Sequence, residues 1–387
     1  MAPTKVREVE VPVQFERSQF GLELVEVDNL VRASKARQLF QVDGKGLTVA
    51  VLDTGLRTTH VDFAGRVVNQ RNFTTDNGGD PADASDGQGH GTNVAGIIAA
   101  GAIHKGMAPG TGVIPVKVLS NTGGGSFAGI LEGLKWVAAN REVHAITAVC
   151  MSLGDGGNYQ SDDQFAADEM RLVIADLRAR NVAVVVAAGN DYFTHNSQQG
   201  MGYPAIFRDT VSVGAVYDFD EGGFSYSSGA QAFSTAPDRL TPFSQRLHPK
   251  VSKPCRTDIF APGAPVTSSG INSDTGESVQ HGTSQATPVT VGVLLLLQQY
   301  FKDRTGQLPA VDKLEAWIRA SGVKIHDGDD EQDNVLHTDL DFIRLDAVKA
   351  LEAVRRDLQK AALEFARPLE TLAEVFNPAR QAKALDV

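Results

Sequence analysis

Several things are scarce in this chain. Only two cysteines occur in 387 residues, Cys150 and Cys255. Neither belongs to a spaced Cys/His pattern, which excludes a disulfide scaffold or a zinc site as the basis of the fold. Cys150 lies in the apolar run 146–153 and reads as a small buried hydrophobe, while Cys255 sits in a loop-like stretch. A disulfide between them is not the expected state, and such sparse cysteine suits a reducing compartment. Long apolar runs are missing too. The longest, 291–297, contains Gly292 and falls far short of the roughly twenty residues of a membrane span. The N-terminus, MAPTKVREVEVPVQFERS, lacks the apolar core of a secretory signal. Positive charge is in deficit, with 36 Lys and Arg against 47 Asp and Glu, net −11. An acidic surface argues against nucleic acid or an anionic membrane as partner. No internal repeat is present. These absences predict a cytoplasmic chain, with the mature part of a secreted precursor as the less favoured alternative.

What is present is globular. The chain is 42% hydrophobic and 21% charged, enough for a large core without metal or disulfide support. Strand-like apolar runs at 47–52, 113–119, 145–153, 182–188 and 211–216 alternate with helix-like segments at 94–100, 130–139, 165–180 and 287–300. The strands are continuously apolar, which predicts an α/β fold with a mostly parallel sheet covered by helices on both faces. The 287–300 helix has almost no polar face and is expected to be buried. Residues 1–21 read as a polar extension in which Val9, Val11 and Val13 could form one strand. Residues 22–354 read as the main domain. The stretch 217–254 is long for a connection and could hold a hairpin or a flap. Residues 355–387 read as a helical extension that Pro368 should kink or split.

Four stretches carry chemistry. In VAVLDTGL, Asp53 ends a buried-type strand, where active sites of α/β sheets collect and a carboxylate can orient a histidine. Alone, it could equally cap a turn. In DGQGHGTNVAGIIAA, His90 lies between two glycines and precedes an apolar helical run, and an imidazole titrates near neutrality. In HGTSQATPVTVGVLLLL, Ser284 stands at the head of the buried helix, next to the free N–H groups and positive end of the dipole. A plain N-cap would look similar. In VAVVVAAGND, Asn190 follows an apolar strand and a glycine, and its amide could donate to a developing negative charge or simply close a turn.

Together the order Asp…His…Ser and these flanks resemble the subtilisin family over roughly residues 25–354. The resemblance implies a three-layer subtilisin-like fold and a serine endopeptidase with Asp53, His90 and Ser284 as triad and Asn190 in the oxyanion hole. Those roles are the ones known for subtilisin itself. It implies that Ser152, Leu153 and Gly154 line one side of the S1 pocket. Gly202, Tyr203 and Pro204 would form its far wall and base. Gly123, Gly124 and Gly125, with Ser126, would be the edge that pairs with extended substrate backbone. Asp191, beside the oxyanion asparagine, would favour polar or basic P1 residues alongside large apolar ones. The partners implied are protein or peptide substrates, and no cofactor is implied for catalysis.

The sequence also departs from the family pattern. Gln285 and Thr287 replace the usual Met and Ala after the serine, and Asn93 stands where a second histidine is common. The segment between Ala99 and Val113 is too short for the family's usual calcium loop, so that site is expected to be missing. Asp76, Asp80, Asp83 and Asp86 could hold calcium elsewhere, but a solvated acidic loop is the favoured reading. No room exists for a large prodomain before Asp53, which leaves 1–21 as a candidate inhibitory segment. The residues after the LDAVKAL stretch are a candidate surface for a homodimer or a regulatory partner. Two rival functions are a silent protease fold and a peptide ligase, which shares the triad but excludes water.

Overall fold

The computed structural model describes the backbone of residues 23–375 and the side chains of 24–364. The expected segments 1–21 and most of 355–387 therefore lie outside the described side chains.

A nine-stranded sheet forms the centre. From one edge to the other its strands are Val323–Asp327, Leu340–Arg344, Ile259–Ala264, Val211–Tyr217, Ala183–Ala187, Ile146–Met151, Thr48–Asp53, Gly112–Lys117 and Arg71–Asn72. Every pairing is parallel except that between Val323–Asp327 and Leu340–Arg344. Thr48–Asp53 shows why the sheet is central. All six of its residues are buried. Val49 and Val51 pack on one face with the helices His90–Ala99 and Thr283–Thr305. Ala50 and Leu52 pack on the other with Phe127–Asn140 and Glu169–Ala179. The two-residue period of a strand thus feeds two cores, and both must be apolar.

The Thr283–Thr305 helix runs along one face of the sheet, and every residue from Thr283 to Tyr300 is buried. Its few polar side chains are satisfied. Gln298 exchanges hydrogen bonds with Thr147, donating to its carbonyl at 2.9 Å and accepting from its hydroxyl at 2.8 Å. Gln299 accepts from the Asp43 and Gly44 amides at 2.8 and 2.7 Å. A buried amide with partners avoids the desolvation cost of an orphan.

Two helices before the first strand, Glu23–Val31 and Ala33–Phe40, complete this layer together with the helix Ala347–Val375. That last helix continues across Pro368 rather than splitting there. A proline removes one backbone donor, and the described side chains just before it, from Gln359 to Glu364, are exposed, so water can meet the orphaned carbonyl. Within 217–254 the strands Phe224–Ser225 and Gln231–Ser234 pair as an antiparallel hairpin, which Gln332–Asp333 joins. Both cysteines are buried and unpaired with each other, and burial pushes the thiol pKa up, to about 11 for Cys255.

Candidate active site

The carboxyl end of Thr48–Asp53 delivers Asp53 into the interior, with no exposure at all. Its Oδ1 accepts from the Thr54 amide at 2.7 Å and pairs with His90 Nδ1 at 2.8 Å. The histidine comes from the first turn of His90–Ala99, four residues before the helix expected from hydropathy. Gly91 permits the close approach. A Cβ on it would lie 2.3 Å from the Gly55 carbonyl oxygen and 3.2 Å from Asp53 Cβ. The helix start is pinned by Asp86, whose carboxylate accepts from the amides of Gln88, Gly89 and Thr92 and from the Thr92 hydroxyl. An acid at a helix N-terminus is favourable to the dipole as well as to the free amides.

Lys117 was not legible as part of the site. It is paired in register with Asp53 and is fully buried. Its ammonium donates to the Thr54 carbonyl at 2.5 Å and to Asn121 Oδ1 at 2.8 Å, and lies 3.6 Å from Asp76. Burial lowers its pKa, and Asp86, Asp76 and Asp53 oppose that shift. A lysine at the end of an apolar strand, in register with the acid, is the one signal that could have found it.

Ser284 is the second residue of its helix, so its N–H has no intrahelical acceptor. Its hydroxyl donates to the Ser152 carbonyl at 3.3 Å, and the Ser152 hydroxyl donates to the Ser284 carbonyl at 2.7 Å. Asn190 stands beside it. The amide and hydroxyl of Thr283 both donate to Asn190 Oδ1 at 2.9 Å. With Oδ1 fixed as acceptor the amide has one orientation, and Nδ2 is its donor end. The structure thus shows two pairs, Asp53 with His90 and Asn190 with the Thr283–Ser284 helix start, with Asp53 at the carboxyl end of a sheet strand and Asn190 just past another.

The remaining expected residues separate by role. Gly202 donates to the Ala188 carbonyl at 2.9 Å, two residues before Asn190. The Tyr203 ring packs into the core instead, against Phe127, Phe165 and Phe207, and its hydroxyl meets Asp168 at 3.0 Å. Leu153 is likewise buried in that core, and Pro204 is buried as well. These three contribute main chain or backing rather than exposed side chains. Gly125 pairs with Leu119 across a turn closed by Ser120 and Gly124, and Ser126 caps Phe127–Asn140 by accepting from Gly129. A Cβ on Gly124 would meet nothing within 4 Å, so the outer side of this turn is open. Asp191 is half-buried, and its Oδ1 accepts from the Thr194 hydroxyl at 3.2 Å.

Of the three residues flagged as departures, Gln285 and Asn93 share one chain of hydrogen bonds, while the Thr287 hydroxyl donates to the Thr283 carbonyl at 2.8 Å. Gln285 donates to Gln280 at 2.9 Å and to Asn93 at 3.4 Å, and Asn93 donates to Ser278 at 3.0 Å. The two polar substitutions compensate each other. In the short loop after Ala99, the buried Asp62 accepts from the amides of Ala102, Ile103 and His104, the His104 ring at 2.6 Å and Ser269. Burial would raise its pKa, but the bonds from His104 and Ser269 hold it well below the usual carboxylate range. Its acceptor sites are taken by protein donors. Asp76, Asp80, Asp83 and Asp86 each bind nearby amides rather than converging. Among the described residues, Asp327, Glu331 and His337 do lie close enough to share an ion. Asp327, however, already serves Arg246, His337 and Thr338.

A buried imidazole–carboxylate pair next to a helix-borne serine and a carboxamide donor can carry acyl transfer to an activated hydroxyl. That chemistry is the one serine hydrolases use, peptidases among them. Comparison with known proteins gives the family. The profile of the subtilase family, peptidase S8, matches residues 44–335. The chain is 30% identical over 262 residues to an intracellular serine protease of Paenibacillus polymyxa, covering 67% of this chain and 68% of that one. It is 30% identical over 286 residues to the major intracellular serine protease of Bacillus subtilis, covering 72% and 77%. Subtilisin DY of Bacillus licheniformis is also 30% identical, over 278 residues, covering 70% and 83%. The chain belongs to the subtilase family and is a serine-type endopeptidase. No helix among the described residues is long and apolar enough to cross a membrane.

Proposed function

We propose that peptide bonds are cleaved through an acyl-enzyme on Ser284. His90 takes the serine proton and returns it to the leaving amine, while Asp53 holds the imidazole in one tautomer. Asn190 Nδ2 and the Ser284 N–H bind the oxyanion, and water attacks the acyl-enzyme with the same base. The observation that carries this reading is the wholly buried 2.8 Å bond between His90 and Asp53. The open Gly124 edge and the 152–154 stretch bind extended substrate backbone, and the S1 slot takes long side chains, basic or polar as well as large and apolar. Catalysis needs no metal. The relatives named intracellular proteases and the sparse cysteine support a cytoplasmic setting. The exposed side chains of 359–364 on the last helix offer a surface for a second copy or a regulatory partner.

The test is labelling with a fluorophosphonate serine probe, followed by cleavage of a proteome-derived peptide library. The wild type labels and cleaves, and Ser284→Ala does neither. A wild type that never labels would establish a silent fold. Products joined to a supplied amine rather than hydrolysed would establish a ligase.

A further inference from the structure

We infer that Asp155 forms the floor of the S1 slot and selects substrates with a lysine or arginine at P1. This rests on the acyl-enzyme reading above, which places the P1 side chain beside Ser284. On this reading the S1 slot lies between two stretches that both contact the start of the Ser284 helix. Its one wall begins at Ser152, which exchanges hydrogen bonds with Ser284. The other begins at Asn190, which Thr283 holds. Gly202 is tied to the second stretch by its bond to Ala188. The space left by its missing side chain is bounded by oxygen. A Cβ there would meet Asp155 Oδ1 at 3.5 Å, the Ala188 carbonyl at 3.7 Å and the Gly157 carbonyl at 3.8 Å. All three are acceptors.

The Asp155 carboxylate is held rigidly. Its Oδ1 accepts from the amides of Gly157 and Tyr203 at 2.8 and 2.9 Å, and its Oδ2 accepts from the Tyr159 hydroxyl at 2.7 Å. It is half-buried, and no basic side chain among the described residues pairs with it. A fourth acceptor lies nearby. Gln245 Nε2 is committed to the Gly157 carbonyl and to Asn158, which fixes Oε1 as the other end of the amide. That Oε1 is buried without a hydrogen-bond partner among the described residues, and it abuts Gly189 on the second wall, 1.8 Å from where a Cβ would stand. An apolar P1 side chain would cover this floor and strip water from a carboxylate that is hydrogen-bonded but has no counter-ion. A long side chain with a cationic tip instead lays its aliphatic stem along the slot and donates to the floor. A site built to hydrogen-bond its ligand discriminates by far more than a plain apolar pocket does.

The bland alternative is that Asp155 only orders the 155–159 turn. The test separates the two. Peptide amides differing only at P1 are assayed with wild type, Asp155→Asn and Asp155→Ser, each normalised by fluorophosphonate titration of Ser284. Wild type should prefer Lys or Arg over Phe at P1 by at least about tenfold in kcat/KM. Asp155→Asn keeps an acceptor at Oδ1 and should cut the Lys/Phe ratio by about ten- to a hundredfold, with labelling and cleavage after Ala preserved. Labelled enzyme with an apolar P1 preference, or an unchanged ratio in Asp155→Asn, overturns the inference and spares the peptidase reading. Absence of labelling in the wild type overturns both. The wild-type profile decides alone should both Asp155 variants fail to fold.

Discussion

Replacing Lys117 by methionine tests the support behind the catalytic acid. The ammonium is fully buried and holds the Thr54 carbonyl, Asn121 and Asp76 together. Methionine keeps the stem volume and removes only the cation. The charge pair at 3.6 Å is worth at most about 4–5 kcal/mol at an effective dielectric of 20. Asp76 is 24% exposed, which trims that figure, but the Thr54 carbonyl is left buried without its donor, at about 1–3 kcal/mol. Breaking a buried pair by removing one partner typically costs about 3–5 kcal/mol, which is the loss expected here. For 387 residues, with unfolding entropy scaled by length, that corresponds to about 4–6 °C in melting temperature. The measurement is urea and thermal unfolding of Lys117→Met in a Ser284→Ala background, where self-digestion cannot distort the transition. Raising salt should change little, because buried pairs are poorly screened. A loss under about 1 kcal/mol, or one that disappears in salt, would refute the reasoning.

Other perturbations have defined outcomes. Asn190→Ala should lower kcat by about 10²–10³ with little change in KM, the magnitude known for the equivalent donor of subtilisin itself; steady-state kinetics on one peptide amide measures it. Asp218 is 5% exposed, one oxygen lacks a hydrogen-bond partner among the described residues, and burial pushes its pKa well above the usual value. The folded state therefore holds a proton that the unfolded chain releases near about pH 4, so stability falls as pH rises past that point. Asp218→Asn should be more stable than the parent by about 1–3 kcal/mol at pH 8 and equal to it near pH 3, by calorimetry. Asp62 is the opposite case. Its pKa is held low, so its contribution is complete above about pH 4 and fades as acid protonates it in the folded state. Asp62→Asn should lose about 3 kcal/mol at pH 7 and show a shallower acid limb in the same calorimetric series.

The central sheet was readable because its strands are buried on both faces. Thr48–Asp53 and Ala183–Ala187 are continuous apolar runs, and they deliver Asp53 and, three residues past its end, Asn190. Asp53, His90, Ser284 and Asn190 stood out because glycine and short polar residues flank them in fixed order. What escaped depended on contacts between distant segments. The helix His90–Ala99 begins earlier than hydropathy suggests because its first turn, HGTN, is anchored by Asp86 and Thr54 rather than by apolar spacing. Arg71–Asn72 is too short to show a period. Lys117 looks like an ordinary strand-end cation until its register with Asp53 is known. Asp155 looks like a turn residue until Gly202 and Tyr203, almost fifty positions later, are seen to fold against it.

Asp53 and Ser284 are separated by 231 positions along the chain. That interval sets a clock during synthesis. At about 5–20 residues per second, some 12–46 s pass between translation of the acid and of the nucleophile. The sheet's inner pairings also close over long sequence separations, and such topologies fold slowly. A chain still being made therefore lacks Ser284 for most of the time in which its first loops, those around Asp53 and His90, await their partners.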